Sequence, residues 1–453
     1  MIYRPYKAPK ARAFPNIRPK EPRISKLVVL LCKLLGRLYL LLFYGIARIV
    51  LQGERHLFEA FKRALAGESR CIIAFRHPNG GEPQLLTWFF LFRLRFLAAK
   101  QGVKFARRPH AVFVYSYEVA RWGGWIARYM MPNIGAMPIH HAKIDTKGMA
   151  RIYDAIIEGH YPLALAPEGQ VSYTTDAIPR LQPGIIRIGF QSAERLVEKG
   201  LTCPIEILPV SFHFRFGSWG KLTLEYLLRK IEKVCGIPGQ GRKKIPLIQR
   251  MGEIRLHILE VNEERYQIKS EPGDSFEQRL ERVIGAALET AERMTGLKGE
   301  GELFPRLHRV RQLCWDRIFL PDVDSFDNIS PAKRNTLDLR AGEAWYIGRH
   351  VELIDFCWYF RIPLPAEDSF LHEKVEYAQN LWDFASRTMG GAYKNRVSIF
   401  PRRVIIQAGP TINLSERLPS FKADKKTAIA TAMSDLEKAF LKCIVDANNL
   451  EQR

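Results

Sequence analysis

The segment CIIAFRHPNGGEPQLLTWFFLFRLRFLAAK, residues 71–100, contains in close succession an apolar strand, a sharp turn and an apolar helix. The run CIIAF is short and apolar, which is typical of a buried β-strand. The residues from Pro78 to Gly81 favour a tight turn. Pro83 suits a first helical position, and a carboxylate at Glu82 interacts well with the helix dipole. The segment therefore predicts a chain that folds back sharply between strand and helix.

Short apolar runs and helical stretches alternate from about residue 54 to residue 300. The predicted strands are CIIAF (71–75), HAVFVYS (110–116), YPLALA (161–166), IEILPVSF (205–212) and IRLHILEV (254–261). The predicted helices are LLTWFFLFRLRFLAAK (85–100), WGGWIARYM (122–130), KGMARIYDAIIEG (147–159) and GIIRIGFQSAERLVEKG (184–200). This alternation predicts an α/β domain with a largely buried sheet over residues 54–300. Residues 301–453 are mostly helical in pattern, with a strand-like segment at 402–409, and form a C-terminal region of unknown role.

The first 53 residues differ in composition from the rest of the chain. Residues 1 to about 26 are rich in proline and basic residues and predict a loosely held basic arm. Residues 26–53 are the most apolar stretch of the chain, but Lys33 and Arg37 interrupt them. Because Lys26, Lys33 and Arg37 share one helical face, we expect an amphipathic membrane-interface helix with its cations at the headgroups. A shallow insertion and a core helix are the alternatives.

The composition excludes disorder as the main state of the 453-residue chain, because 47% of the residues are hydrophobic and 26% are charged. The net charge of +22 favours an anionic partner, either nucleic acid or an anionic membrane surface. No helix–turn–helix, zinc-knuckle or RNA-binding aromatic signature accompanies the charge, so no nucleic-acid partner is expected. The seven cysteines are scattered and odd in number, which favours a reducing, intracellular compartment.

His77 and Glu82 are the first candidates for chemistry. The predicted turn is able to bring the carboxylate of Glu82 against the imidazole of His77. A carboxylate bound to one ring nitrogen fixes the tautomer and leaves the other nitrogen free to act as a base. Such a pair takes a proton from an alcohol without forming a covalent enzyme intermediate.

The spacing of this pair carries little weight alone, because three histidines in the chain are followed five residues later by an acid. His350 and Asp355 lie in a predicted helix, where a separation of five residues directs the side chains away from each other. His140 and Asp145 are a competing pair. The motifs that surround each pair have to decide between His140/Asp145 and His77/Glu82.

Another candidate is YPLALAPEGQVSYTTD, residues 161–176. Its apolar strand ends in Pro167-Glu168-Gly169, so one carboxylate stands at the carboxyl end of a sheet strand. Ligands of open α/β sheets bind at that edge. An ordinary strand-ending turn is the alternative, because proline and glycine mark turns in many proteins.

Four segments in order resemble the motifs of the phospholipid/glycerol acyltransferase superfamily, which includes lysophosphatidic acid acyltransferase. The matching segments are His77 to Glu82 for the His-x4-Asp motif, Gly135-Ala136-Met137-Pro138-Ile139-His140-His141 for the second motif, Ala166-Pro167-Glu168-Gly169-Gln170-Val171-Ser172 for the third, and Ile207-Leu208-Pro209-Val210 for the fourth. The resemblance covers about residues 50–265 and places His140 in a motif separate from the catalytic pair. It implies an acyltransferase-like mixed sheet flanked by helices, preceded by the membrane-interface helix.

The resemblance implies a 1-acylglycerol-3-phosphate O-acyltransferase-like enzyme on the cytoplasmic side of a membrane. His77 is then the general base, oriented by Glu82, and an acceptor hydroxyl attacks the thioester of acyl-CoA or acyl-carrier protein. The implied acceptor-binding residues are Gly135, His141, Lys143, Glu168 and Gly169, and the implied structural residues near the site are Pro167 and Pro209. Neither a metal nor a prosthetic group is implied. An apolar groove lined from residues 85–99 would align the acyl chain, although the same residues equally suit core packing.

Three departures from the family pattern bear on the acceptor. Glu82 replaces the usual aspartate of the first motif. His141 stands where the family often has arginine, and Val171 replaces the arginine of the third motif. Loss of both guanidinium groups weakens the prediction of a phosphate-monoester acceptor, although Lys143 offers a compensating charge. A glycerolipid, a lysophospholipid and a glycolipid stay open as acceptors. A catalytically inactive lipid-binding relative is the first alternative function, and a nucleic-acid-binding protein is the second.

Overall fold

The run Cys71–Phe75 lies in a central strand of a β-sheet in the computed structural model, which describes residues 12–450 except 19, 141–144, 218, 240, 390–396, 398 and 400. The chain divides into two units. The first consists of Pro19–Gly217 and Ile399–Arg453, and we call it the α/β unit. The second consists of Met1–Arg18 and Ser218–Ser398, and we call it the helical unit.

The described elements account for both units. The strands are β1 Phe14–Pro15, β2 Ile46–Gln52, β3 Arg70–Phe75, β4 Val112–Ser116, β5 Met137–Ile139, β6 Leu163–Leu165, β7 Ile205–Phe216, β8 Phe319–Leu320, β9 Arg402–Ala408 and β10 Ile412–Asn413. The helices are α1 Lys26–Tyr44, α2 Glu54–Ala66, α3 Glu82–Trp88, α4 Arg95–Lys100, α5 Tyr117–Trp122, α6 Gly124–Asn133, α7 Thr146–Glu158, α8 Gly184–Glu198, α9 Trp219–Val234, α10 Leu247–Arg265, α11 Phe276–Thr295, α12 Leu303–Ile318, α13 Pro331–Tyr359, α14 Leu371–Thr388, α15 Leu418–Ala423 and α16 Lys425–Asn449. A π-helical segment, Phe89–Leu94, joins α3 to α4.

One mixed sheet organises the α/β unit. Its strand order is β2-β9-β7-β3-β6-β4-β5, with β10 beside β7. Strands β7, β3, β6, β4 and β5 run parallel, whereas β9 runs antiparallel to β7. The residues that follow β3 and β6 therefore lie side by side at one edge of the sheet. His77 and Glu168 are among these residues.

Both faces of the sheet are covered by helices, because side chains along a strand point alternately to opposite faces. Ile73 of β3 belongs to an apolar cluster with Phe61 of α2. Its neighbour Ile72 belongs to a second cluster with Phe190 of α8 and Phe440 of α16. Burial on both faces explains why the strands read as continuous apolar runs. The prediction of an α/β fold with a mixed sheet flanked by helices is confirmed.

The prediction of a strand at residues 254–261 is wrong, because these residues lie in α10 of the helical unit. The buried side chains Met251, Ile254 and Ile258 are spaced three and four residues apart and share one helix face. The apolar run therefore has the period of a helix, which a short window did not distinguish from that of a strand.

The predicted helix of residues 26–53 ends early, at Tyr44. Gly45 has a φ of 61°, the left-handed conformation that commonly ends a helix. The following residues form β2, which pairs in parallel with β9. Because β9 is distant in sequence, no local pattern revealed this pairing.

The two units differ from the predicted domains 54–300 and 301–453. The chain leaves the α/β unit at residue 218 and returns to it at residue 399. The predicted strand at 402–409 is confirmed as β9, but it inserts between β2 and β7 and does not belong to a separate C-terminal region. Helix α16 packs on β7 and therefore also belongs to the α/β unit.

Candidate functional site

His77 lies two residues beyond the end of β3, and Glu82 is the first residue of α3. Nδ1 of His77 and Oε2 of Glu82 are 2.7 Å apart. The same oxygen accepts a hydrogen bond of 2.9 Å from the backbone N–H of Gly80. Gly80 has a φ of 93°, which glycine adopts without strain, and this lets the turn return Glu82 to the ring. The structure therefore brings the two predicted catalytic residues together, and we call them the dyad.

The two members of the dyad differ in their access to solvent. The side chain of Glu82 is fully buried, whereas that of His77 is 18% exposed. Nε2 of His77 makes no hydrogen bond to any residue that the structure describes. A carboxylate on Nδ1 places the ring proton there and leaves the lone pair on Nε2. The exposed nitrogen of His77 is thus the one suited to accept a proton from a substrate.

Glu168, which follows β6, holds the backbone of His77. Its Oε2 accepts a hydrogen bond of 3.0 Å from the backbone N–H of His77, and its Oε1 accepts one of 2.7 Å from Nε of Arg76. The backbone N–H of Ser172 donates to the carbonyl of His77 at 2.9 Å. Donor groups of the protein occupy both carboxylate oxygens of Glu168. The structure therefore favours a role for Glu168 in holding the backbone of His77, whereas the sequence predicts direct binding of the acceptor.

Arg76 is a site residue that the sequence reasoning missed. Its guanidinium group is buried and donates to the carbonyls of Thr174, Thr175 and Ala177 at distances of 2.8 to 3.0 Å. Together with the ion pair to Glu168, these bonds satisfy a cation that would be costly to bury alone. The sequence does contain a signal for this residue. Arg76 is a basic residue directly after a buried apolar strand, and a buried cation at that position requires an acid nearby.

Pro167, Gly169 and Pro209 shape the surroundings of the dyad. Gly169 has a φ of 74°, and a Cβ atom there would lie 2.4 Å from Nε2 of Gln182. The carbonyl of Pro167 accepts a hydrogen bond of 2.7 Å from the backbone N–H of Gln182. Pro209 lies in β7, in register with Ala74 of β3. Each of the three residues fixes the backbone conformation close to His77 and Glu82.

The remaining predicted acceptor-binding residues belong to the segment around β5. Gly135 has a φ of 81° between α6 and β5, and a Cβ atom there would lie 3.1 Å from Cγ1 of Ile24. Gly135 therefore makes the turn into β5, whose carboxyl end lies at the same sheet edge as the end of β3. His141 and Lys143 lie outside the described residues.

The competing pair His140 and Asp145 has a different geometry. The ring of His140 stacks on that of Tyr117, with centroids 3.7 Å apart. Asp145 accepts hydrogen bonds from the backbone N–H groups of His140 and Gly148, so it caps the start of α7. The carboxylate therefore fixes the backbone at this position.

The third pair, His350 and Asp355, is separated as the helical spacing predicts. Nδ1 of His350 is 2.6 Å from the hydroxyl of Tyr266, whereas Asp355 forms an ion pair with Arg311. Of the three pairs, His77 and Glu82 are the one in which the described contacts join a carboxylate to the imidazole ring.

A buried serine, histidine and aspartate lie within the core of the α/β unit. Nε2 of His213 is 2.8 Å from Oγ of Ser211, and Nδ1 is 3.3 Å from Oδ1 of Asp176. Ser211 and His213 are inaccessible to solvent, so no substrate reaches the hydroxyl. Burial lowers the pKa of His213 to about 4, against an opposing effect of Asp176, and the ring is therefore neutral at pH 7. This order of residues resembles a catalytic triad, but its burial indicates a structural network.

The residues predicted to line an acyl groove are divided between core and surface. Leu85, Phe89 and Phe90 are buried in the apolar cluster on one face of the sheet, as the core-packing alternative predicts. Phe96 of α4 is exposed. A groove for an acyl chain therefore does not consist of the whole segment 85–99.

Helix α1 is apolar on the side that faces solvent. Within the described residues it is long and apolar enough to cross a membrane, and of its side chains only Val28 and Leu40 are buried. Its exposed residues are Leu27, Leu30, Leu31, Leu34, Leu35, Leu38, Tyr39, Leu41, Leu42 and Phe43. A core helix would bury such residues, so the core alternative is excluded. Neighbouring α6 exposes Trp125, Ile126 and Tyr129.

One cation of α1, Arg37, does not lie where the sequence suggests. Arg37 donates hydrogen bonds of 2.6 and 2.7 Å to the carbonyls of Ile46 and Ala47, at the start of β2. Lys33 is half-buried on the same side of the helix. The expectation that this face points its cations to lipid headgroups is therefore wrong for Arg37. The carbonyl groups after the early end of α1 provide its partners.

No protein-family model matches the chain, and searches of curated proteins and of solved structures also return no match.

Proposed function

We propose that the chain is a glycerolipid O-acyltransferase that moves a fatty acyl group from acyl-CoA or acyl-carrier protein to an acceptor hydroxyl at a membrane surface. The observation that carries this proposal is the 2.7 Å contact between Nδ1 of His77 and Oε2 of Glu82, with Nε2 left free. The dyad follows a parallel strand, at the edge where ligands of α/β sheets bind. The four ordered motifs, which resemble the phospholipid/glycerol acyltransferase superfamily, support the reaction type.

The proposed reaction requires one group that acts first as a base and then as an acid. Nε2 of His77 takes the proton of the acceptor hydroxyl while the hydroxyl oxygen attacks the thioester carbonyl carbon. The tetrahedral intermediate then collapses and the C–S bond breaks. The imidazolium returns its proton to the departing thiolate, which leaves an ester and a free thiol. Glu82 keeps the ring in the required tautomer and stabilises its transient positive charge.

The charge of the exposed elements supports a membrane location. Residues 22–53 contain five Lys or Arg and no acid, and residues 83–144 contain nine Lys or Arg and one acid. These two ranges include the exposed apolar faces of α1 and α6. Apolar side chains bordered by cations suit the anionic cytoplasmic leaflet. We therefore assign the protein to the cytoplasmic side of a membrane, with the acceptor supplied from the lipid phase.

The acceptor class follows from the groups near the dyad. Val171 supplies no charge, and Glu168 is occupied by Arg76 and His77. We therefore propose a glycerolipid or lysophospholipid hydroxyl and do not require a phosphate monoester. A glycolipid acceptor is an alternative within the same reaction.

In the test, purified full-length protein is incubated with an acyl donor and a panel of lysolipids and lipid alcohols. The donor is either acyl-CoA or acyl-carrier protein that bears a labelled acyl group. We expect wild type to form an acylated lipid and His77→Ala to form none. His140→Ala is the matched control, because His140 belongs to the competing pair and its ring stacks on Tyr117, and it is expected to retain transfer.

Three results would contradict the proposal. Absence of acyl transfer by wild type across the panel, with intact binding to liposomes, would favour a lipid-binding protein without activity. Loss of transfer in His140→Ala with full transfer in His77→Ala would move the base to the second motif. Tight, salt-sensitive binding of RNA or DNA without lipid activity would instead indicate a nucleic-acid-binding protein.

A further inference from the structure

Tyr44, the last residue of α1, lies against the turn that carries the dyad. A Cβ atom on Gly81 would lie 2.6 Å from Cδ1 and 2.7 Å from Cε1 of Tyr44, so the tyrosine ring occupies the space beside this glycine. Gly81 has a φ of −100°, which residues with side chains also adopt. Space, and not backbone conformation, therefore requires glycine here. Gly81 directly precedes Glu82.

The position of Tyr44 is fixed from the sheet. Nε of Arg402, in β9, donates a hydrogen bond of 2.5 Å to the carbonyl of Tyr44. The backbone N–H of Arg402 donates one of 2.9 Å to the carbonyl of Gly45. A cation is favourable at a helix C-terminus, where carbonyl groups lack helical partners. These bonds attach the end of α1 to the sheet.

A second close approach joins α1 to α3. A Cβ atom on Gly36 would lie 2.7 Å from Cδ1 of Trp88, the last residue of α3. Gly81 and Trp88 flank α3 at its two ends, and Gly36 and Tyr44 are about two turns apart on α1. Helix α1 thus contacts both ends of the short helix that carries Glu82.

Hydrogen bonds hold only one of the two carboxylate oxygens of Glu82. Oε2 contacts His77 and Gly80, whereas Oε1 is buried and has no hydrogen-bond partner among the residues that the structure describes. Buried polar atoms usually have such a partner. Burial raises the pKa of Tyr44, and the nearby charge of Glu82 adds to the increase. The tyrosine ring therefore packs against Gly81, the residue before a carboxylate that hydrogen bonds hold incompletely.

Contacts continue from Tyr44 to the exposed face of α1. The ring of Tyr39 meets that of Tyr44 edge to face, with centroids 5.8 Å apart. Tyr39 is exposed and also contacts Phe43, one of the most exposed residues of the helix. A chain of contacts therefore runs from the apolar outer face of α1 to the residue before Glu82.

We propose that Tyr44 is a positioning residue that holds Glu82 on His77 and makes the dyad depend on the seating of α1. The inference rests on the proposed function of the dyad. The bonds of Arg402 hold the end of α1 on the sheet, and the helix end in turn keeps the tyrosine ring against the turn that carries Glu82. Displacement of the tyrosine ring frees Glu82 to turn away from the imidazole.

The test compares Tyr44→Ala, Tyr44→Phe and Gly81→Ala in the full-length chain. Proton NMR follows the downfield Nδ1–H resonance of His77, identified by its loss in the His77→Gln and Glu82→Gln variants. We expect Tyr44→Ala and Gly81→Ala to weaken or remove this resonance, and Tyr44→Phe to retain it because the ring is kept. The matched control is Tyr226→Ala, which removes an exposed tyrosine from α9 and should leave the resonance unchanged.

Acyl transfer provides the second measurement. We expect Tyr44→Ala to lower kcat about tenfold or more, because a small displacement of a reacting group strongly reduces the rate. The KM for acyl-CoA should change by less than about twofold. Tyr44→Phe should recover the wild-type kcat. An unchanged resonance and kcat in Tyr44→Ala would overturn the inference, and if that variant fails to fold, the same outcome in Gly81→Ala would overturn it. If wild type transfers no acyl group but the resonance responds as expected, the positioning inference stands and the proposed function fails.

Discussion

At the scale of single residues, the proposed acyl transfer requires Glu82 to orient His77 as a base. Glu82→Gln keeps the size of the side chain and removes its charge, so the imidazolium formed during transfer loses its stabilising partner. We expect kcat to fall about 100-fold or more, a typical contribution of general-base catalysis. Glu82→Asp keeps the charge but shortens the side chain by one methylene, which moves the carboxylate away from the imidazole. A rate between those of wild type and Glu82→Gln is expected. Steady-state kinetics with acyl-CoA measure both, and a Glu82→Gln enzyme with wild-type kcat would exclude the orienting role.

His213 makes a prediction about stability in acid. Its pKa is about 4 in the folded chain and near its ordinary value of 6.5 when unfolded, so the unfolded chain takes up the proton first as the pH falls. The stabilising contribution is fully present above pH 6.5 and is lost as the pH falls to about 4. Because a pKa difference of one between the folded and unfolded chain corresponds to ~1.36 kcal/mol, the free energy of unfolding should decrease by about 3 kcal/mol.

Chemical denaturation of wild type and His213→Gln at several pH values between 7 and 4 measures this contribution as the difference between the two curves. The exposed histidine His160 provides the control, because His160→Gln should follow the wild-type curve throughout. Parallel curves for wild type and His213→Gln would contradict the prediction, because they would show that the pKa of His213 is the same in the folded and the unfolded chain.

At the scale of elements, the sequence predicted the strands that are buried on both faces. CIIAF and IEILPVSF read as strands because β3 and β7 are covered by helices on both sides of the sheet. The edge strand β2 was missed because it follows an apolar helix without any polar interruption, and only Gly45 separates the two. Helix α10 was misread because a run of eight residues is too short to distinguish a period of 2 from one of 3.6.

The ion pair between Arg76 and Glu168 joins the ends of two neighbouring strands, β3 and β6. Glu168→Gln leaves the buried guanidinium group without a countercharge, and we expect the free energy of unfolding of the α/β unit to decrease by about 3 kcal/mol. Acyl transfer should also decrease, because one amide oxygen does not replace both the bond to Arg76 and the bond to the His77 backbone. Denaturant unfolding and kinetics measure the two effects.

Glu21→Gln is the matched control in the same unit, since Glu21 is an exposed partner of Arg151 and should change stability by less than about 1 kcal/mol. Equal effects of the two substitutions would mean that the buried pair contributes no more than an exposed one.

At the scale of the whole molecule, the dyad was accessible from sequence because its two members are joined by one short turn. The residues that support it were not. Arg76 depends on carbonyls about 100 positions later, and Tyr44 depends on a strand near the end of the chain. Such contacts arise from the topology of the sheet, in which β9 inserts between β2 and β7. Local sequence patterns do not reveal that β9 inserts between two strands that come much earlier in the chain. The predicted domain boundaries differ from the observed units because they too rest on local patterns.

The exposed faces of α1 and α6 lead to a prediction about membrane binding by the complete protein. Trp125 is 76% exposed, and nearby Ile126 is also exposed, in a range with nine basic residues and one acid. We expect wild type to bind vesicles of phosphatidylcholine with phosphatidylglycerol more tightly than vesicles of phosphatidylcholine alone, with affinity falling as salt rises. Trp125→Ser with Ile126→Ser should weaken binding about tenfold or more through lost apolar burial. Vesicle co-sedimentation measures both effects. Trp219→Ser, which removes an exposed tryptophan of the helical unit, is the control, and an equal loss there would show that the apolar face of α6 has no special part in binding.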